Sequence, residues 1–161
     1  MSRVFPLACL LLVGIAMALS LAHVAELPGK MRLDRETYLA VQQIYYPGFT
    51  IGGIAEPLGA LAVLALLILT PLPGVRLWWA VLALGCLVGM QLVFWFVTQP
   101  VNAAWTRDMN LQGPGGLFFS LFPVEISGDW TRLRDIWEYS HVSRALLGMI
   151  AFLSIARVIM A

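Results

Sequence analysis

Residues 130–161 read WTRLRDIWEYSHVSRALLGMIAFLSIARVIMA, and the change of character within them decides the fold. In the first half, Trp130, Arg134, Trp137, His141 and Arg144 recur at steps of four, three, four and three. On an α-helix that spacing lines up one stripe. Glu138 and His141 are three apart and point to the same place. From Val142 onward the chain is apolar for about the 20 residues that a bilayer span needs. A charged and aromatic stripe therefore enters lipid on a helix.

Working outward, residues 4–25, 49–70 and 77–98 are apolar runs of the same kind. Of 161 residues, 60% are hydrophobic and 12% charged, about half the charged share of a soluble domain. The expectation is an all-α fold in one domain, residues 1–161: a four-transmembrane-helix bundle with a short interfacial helix and a long polar-side loop. Ser2-Arg3 and the small triplet Ala16-Met17-Ala18 also fit a cleaved signal sequence. The length of the first run and the three spans behind it favour a retained helix. A net charge of +1 offers no electrostatic footprint for nucleic acid. Cys9 and Cys86 sit inside apolar runs without metal-ligand spacing and read as buried thiols.

The connections carry the polar residues. Pro28-Gly29 is expected to break the first helix. Asp34 is a candidate N-cap for an interfacial helix ending at Pro47-Gly48, with Tyr38, Val41 and Tyr45 along one edge. In the second span Pro57 removes a hydrogen bond from the carbonyl of Gly53 and bends the helix at Glu56. Gly85 and Gly89 form a small-xxx-small pair in the third span, where Gln91 is the strongly polar interior side chain. Residues 99–137 read as the long connection, and its Phe118-Phe119-Ser120-Leu121-Phe122 segment is apolar enough to fold back on the bundle. Seven of the ten Lys and Arg residues and all nine acids lie on one side of the four spans. The positive-inside rule places that side in the cytoplasm, although Arg3 ahead of the first span argues the reverse.

Three spans bring ionisable groups to that side: His23 and Glu26, then Glu56, then Glu138, His141 and Arg144. Charges at membrane depth are costly unless paired or hydrated and are functional candidates by default. One reading is a metal site in which His23, Glu26, Glu56, Glu138 and His141 supply ligands to a single transition metal. Paired histidines also suit axial haem ligation. The structural alternative is a set of ion pairs, Glu56 with Arg144, Glu138 with Arg134 and His23 with Glu26. Tyr45, Tyr46, Trp105, Trp130 and Trp137 line a pocket or form an interfacial belt, and Asn102 is equally well a turn residue. The chain has no dinucleotide-binding glycines, no P-loop and no cysteine cluster.

Several segments together carry a resemblance. They are His23-x-x-Glu26-x-Pro28-x-Lys30, Tyr38-Leu39-x-Val41-Gln42-Gln43-Ile44-Tyr45, Asn102-x-x-Trp105 and Trp130-x-x-Leu133-Arg134-x-x-Trp137-Glu138-Tyr139-Ser140-His141. The chain resembles the anthrone-oxygenase-like family of small four-helix membrane proteins, most of them without assigned function. The likeness covers nearly the whole chain and is most specific in WEYSH. It implies oxidation of anthrones to anthraquinones by molecular oxygen without a dedicated cofactor. It also implies roles for His141, Asn102, Trp105 and His23, and a bacterial inner membrane as the location. The Gly-Pro-Gly-Gly-Leu-Phe-Phe insertion after Trp105 departs from the family pattern.

Two further classes stand beside a membrane oxygenase acting on a small aromatic or quinone-like molecule. One is a non-catalytic binder or transporter using Glu56, and the other is a structural subunit with every polar group paired. Self-association is compatible with all three. In the oxygenase, cofactor-free or metal-dependent, His141 with His23 takes the proton and Glu138 orients His141. Arg144 stabilises the anion, and Trp105, Trp137 and Tyr45 pack on the ring.

Overall fold

The computed structural model describes residues 4–107, 109, 111, 113–122, 126 and 128–160. The sequence readings that involve Arg3, residues 108, 110, 112, 123–125 and 127, and Ala161 fall outside them. The fold is all-α. Its helices are α1 (Val4–Lys30), α2 (Arg35–Gly52), α3 (Ala55–Leu69), α4 (Val75–Val93), α5 (Gln99–Thr106), α6 (Gly113–Leu121) and α7 (Trp130–Met160), with one π-helical turn, Phe94–Thr98, joining α4 to α5.

Four stretches are long and apolar enough to cross a membrane: Val4–Lys30, Arg35–Leu69, Val75–Thr106 and Trp130–Met160. Around the bundle α1, α3, α4 and α7 neighbour one another in that order, α7 closing back onto α1. Leu11, Leu61, Ile68 and Leu153 face outward, as lipid-facing residues do. Cys9, Val13, Ala16, Ser20 and His23 form the buried stripe of α1 that their spacing implies. The four stretches have 27, 35, 32 and 31 residues, against about 20 for a bilayer core, so their polar-side ends have length to spare.

Those ends correct several expectations. Pro28 does not stop α1. It lies in the last turn, where its missing N–H costs one bond, and the helix runs on to Lys30. Asp34 does cap α2, accepting the Thr37 N–H at 2.8 Å, and that bond holds its carboxyl below the ordinary carboxylate value. However, α2 continues through Pro47 to Gly52 and is no separate interfacial element. Its buried edge is Tyr38, Gln42 and Tyr46. The break falls at Gly53 and Ile54, where the Gly53 carbonyl, deprived of its usual partner by Pro57, accepts the Glu56 N–H at 3.1 Å.

The third span outruns its predicted end at residue 98. Pro100 lacks an N–H and crowds the preceding turn, and a wider turn at Phe94–Thr98 precedes it, with the Gln99 N–H on the Phe94 carbonyl. Asn102 and Trp105 are thus helix residues, not loop residues. Gly89 does lie close to Leu147, but Gly85 faces open space, so the two glycines are no packing pair. A close approach of α7 to α1 uses Gly148, whose missing Cβ leaves room for the Met17 backbone. Helix α6 does fold back, with Phe118 against Phe94 and Trp95 and Phe119 against Tyr46. As expected, α7 is one helix from the polar stripe into the apolar run, and Asp129 accepts the Thr131 and Arg132 N–H groups at its start.

Candidate functional site

The core has two parts. Toward the apolar ends, Cys9, Val13, Val63, Leu66, Leu87, Met90, Ala151 and Ile155 pack as small aliphatic groups. At the polar-side ends, Tyr38, Tyr46, Val101, Trp105, Met109 and Trp137 form a second, largely aromatic cluster. Beside that cluster a cavity of about 420 Å³ is lined from all seven helices and the π turn. It is in the size range of small-molecule sites. Tyr45, Tyr46, Phe49, Phe94, Phe119 and Trp137 supply apolar wall, and His23, Gln42, Glu56, Gln91, Asn102, His141 and Arg144 supply polar groups.

The histidines from two helices meet here. Their ring centroids are 4.3 Å apart, and His23 also packs on Phe49 at 4.5 Å and Trp137 at 4.9 Å. His141 Nδ1 lies 2.9 Å from the Trp137 carbonyl one turn back. A carbonyl can only accept, so Nδ1 carries the proton and Nε2 has the lone pair. Arg144 Nη1 donates toward that lone pair at 3.3 Å, and Arg144 Nη2 donates to Glu56 at 2.6 Å. The other Glu56 oxygen accepts from Gln91 at 2.8 Å, and Trp95 donates to Gln91 at 3.3 Å. Glu56 is therefore fully partnered, and the ion pair with Arg144 read from the sequence is present.

Trp137 is held from three directions. Its indole N–H donates to Asn102 at 2.7 Å, its ring lies on His141 at 4.0 Å, and the Lys30 ammonium sits 4.7 Å from its centre. Asn102 also accepts the Tyr46 hydroxyl at 3.2 Å, and Tyr46 in turn accepts from Trp105 at 2.9 Å. Asn102 is no turn residue but the shared acceptor of two aromatic walls.

Other expectations change. Glu138 does not orient His141: it is fully buried among Tyr38, at 2.7 Å, and Lys30, at 3.1 Å. The Trp137 carbonyl orients His141 instead. Arg134 does not pair with Glu138, which Tyr38 and Lys30 occupy, but with Asp135, at 2.8 Å, and the Met31 carbonyl. Trp105 stacks behind Trp137, at 5.7 Å, and does not line the cavity. Glu26 lies at the rim, 3.8 Å from His23 and 3.5 Å from Lys30. With Glu138 and Glu56 held by cations, the five candidate metal ligands do not converge. Among the described residues no three His, Cys, Asp or Glu side chains are placed to share one ion.

Sequence reading missed Lys30 and Gln42 as site residues. Lys30 is seven residues after His23 and shares its helix face, a signal hidden once Pro28 is taken as a stop. Gln42 lies one turn from both Tyr38 and Tyr46 and is buried with them.

Fold and site together define an all-helical membrane protein whose bundle end holds a ligand-sized aromatic cavity with a histidine pair and a part-buried arginine–carboxylate pair. No family model, no curated protein and no solved structure matches the chain.

Proposed function

We propose that the protein is a membrane-embedded oxygenase that binds a small, flat, apolar molecule in this cavity and removes a proton from an acidic C–H or phenol. The observation that carries the reading is the neutral His141 imidazole, anchored through Nδ1 with its Nε2 lone pair beside Arg144 in an aromatic-walled cavity. The resemblance to anthrone oxygenases supports the same chemistry, and a bacterial inner membrane would be its setting.

The ligand enters laterally from lipid, beneath α6, and lies in the cavity against the rings of Phe49, Phe94 and Phe119, with the histidine pair at its inner end. Arg144 turns one N–H from the imidazole to the ligand oxygen, which frees the lone pair as the base is needed. His141 takes the proton, His23 packs its ring against that of His141, and Arg144 stabilises the oxyanion. The substrate anion then passes electrons to dioxygen. A new C–O bond forms, the O–O bond breaks, and loss of water leaves a ketone. In balance, one methylene group and one molecule of dioxygen become one carbonyl group and one molecule of water. Asn102 keeps Trp137 in place throughout.

The test is anthrone oxidation by the detergent-purified protein, followed as anthraquinone formation and oxygen uptake, with elemental analysis of the same preparation. His141→Ala is expected to lower kcat by about a hundredfold or more. A wild-type rate equal to that of buffer would sink the reading. Stoichiometric iron, copper or zinc that is lost in His141→Ala would shift it to metal-dependent chemistry.

A further inference from the structure

The wall of the cavity changes character from its inner end to its edge. Its charged, imidazole and amide side chains, from His23 to Arg144, are all buried or half-buried. Its exposed residues are Ile51, Ile54, Pro57, Trp95, Pro114, Leu117 and Leu121. The one polar atom among those side chains, the Trp95 indole N–H, donates to Gln91. These residues form an apolar mouth where α2 breaks from α3, facing α6. Residues 51–57 lie about 18–27 Å along the span from the far end of α3 at Leu69, at about 1.5 Å per residue. With the short α3–α4 turn at the membrane surface, that is inside the roughly 30 Å hydrocarbon layer. Ile51 and Leu117 are 59% and 64% exposed, so the mouth opens on acyl chains and presents no group that water would solvate.

We infer that the cavity takes an amphiphile dissolved in the bilayer: a hydroxylated aromatic head against His141 and Arg144, and a hydrocarbon chain that leaves through this mouth into the surrounding lipid. The inference rests on the cavity being a ligand site and names the substrate class of the reading above. The order of the wall matches the order of such a molecule, polar at the inner end and apolar where the chain must pass. The chain lies in hydrocarbon before and after the head enters. Lipid tails are as apolar as the leucine and isoleucine of the mouth, so the chain adds little to affinity measured against the bilayer. Its contribution is to concentrate the molecule where the mouth opens, by about fourfold for each methylene. A ligand that must arrive from water gains nothing from a mouth at this depth.

The test compares 1-naphthol with 4-decyl-1-naphthol on the protein in lipid nanodiscs, under argon so that no dioxygen consumes the head. Dissociation constants come from quenching of protein fluorescence and are expressed as mole fractions of bilayer lipid, which removes the partition of the chain. Wild type is expected to bind the two within about threefold of each other on that scale. Ile54→Trp narrows the mouth and is expected to weaken the decyl compound about tenfold or more while leaving 1-naphthol unchanged, with Leu117→Trp as a second variant if the first does not fold. A diazirine at mid-chain should label residues 51–57 and 117–121, and excess 1-naphthol should remove the label. A wild type that binds 1-naphthol but excludes the decyl compound would overturn the inference while leaving the cavity a binding site. Labelling that 1-naphthol does not displace would overturn it too, as ordinary contact with lipid. So would decyl binding that both folded mouth variants leave unchanged. If neither compound binds, the ligand-site reading fails, and this inference fails with it. A wild type that binds both compounds yet turns over no anthrone would retire the oxygenase reading alone.

Discussion

The two halves of the bundle core keep their shape by different physics. In the aliphatic half, Cys9, Val13, Leu66, Leu87 and Ile155 are held by close packing, and Ser154 merely returns its hydroxyl to the Ile150 carbonyl of its own helix. In the aromatic half the side chains are tied by directional bonds between helices: Tyr38 to Glu138, Tyr46 and Trp137 to Asn102, and Glu56 to Arg144. Dispersion is short-ranged and undirected, so a packed half closes up. A half built from large rings at fixed bonding angles can stand around an open space, and the cavity lies on that side. What distinguishes the regions is therefore less polarity than the ability to hold a void.

The sharpest way to break this contrast is to remove the ammonium at the centre of the aromatic half. Lys30→Met leaves Glu138 buried without its cation and is expected to cost about 3–5 kcal/mol of stability, read by thermal unfolding in detergent. Glu138→Gln in the same background should recover much of the loss, because the orphaned charge is gone. Next in size, Asn102→Leu strips the acceptor from two buried donors. It should cost about 2–4 kcal/mol and also abolish binding of a three-ring aromatic ligand, as Trp137 and Tyr46 lose their positions. Val63→Ala in the aliphatic half supplies the matched comparison. It should cost about 1–2 kcal/mol and leave binding unchanged, since its cavity lies in the packed half. Equal losses of binding in the two variants would contradict the division. Gly148→Ala comes next, with its added Cβ 3.2 Å from the Met17 Cα, and about 1 kcal/mol of strain is expected without effect on the ligand.

The smallest expected effect belongs to neither half. Asp34 caps α2 most strongly while ionised, and its folded carboxyl is held below the ordinary value by Thr37. Its stabilising contribution is thus present at neutral pH and lost as pH falls through the lowered folded value. A stability profile of Asp34→Ala against wild type should show the two curves converging in strong acid.

The aliphatic half and the spans were legible from the sequence because they rest on periodicity. The stripe of α1 from Cys9 to His23, the continuity of α7 and the Glu56–Arg144 pair all follow from helix geometry and the cost of a lone charge in lipid. The aromatic half was less so. Pro28 and Pro47 each read as a stop and the third span reads as ending at residue 98, yet Pro28 lies near a helix end, Pro47 inside a long helix and Pro100 beyond a widened turn. Two of these continuations carry residues onto the site: Lys30 after Pro28, and Asn102 and Trp105 after Pro100. Glu138 was assigned to His141 from spacing alone. Spacing sets which residues share a face but cannot rank Tyr38 and Lys30, which arrive from other helices, above a neighbour on the same one.

The π turn at residues 94–98 bears on how the chain tolerates changes of length. A turn of this type holds one residue more than the helix around it, and each residue of α-helix advances the direction of a side chain by about 100°. Deleting a single residue between Phe94 and Thr98 would leave the hydropathy of the span almost untouched. It would also turn the wide turn into ordinary α-helix without rotating what lies beyond it, so Asn102 would keep its direction toward Trp137 and Trp105 its direction toward Tyr46. The extra residue is thus a place where the span can shorten by one without disturbing the cavity, and a deletion scan would find tolerance there that a regular stretch of α7, where each lost residue turns the following side chains by about 100°, does not have.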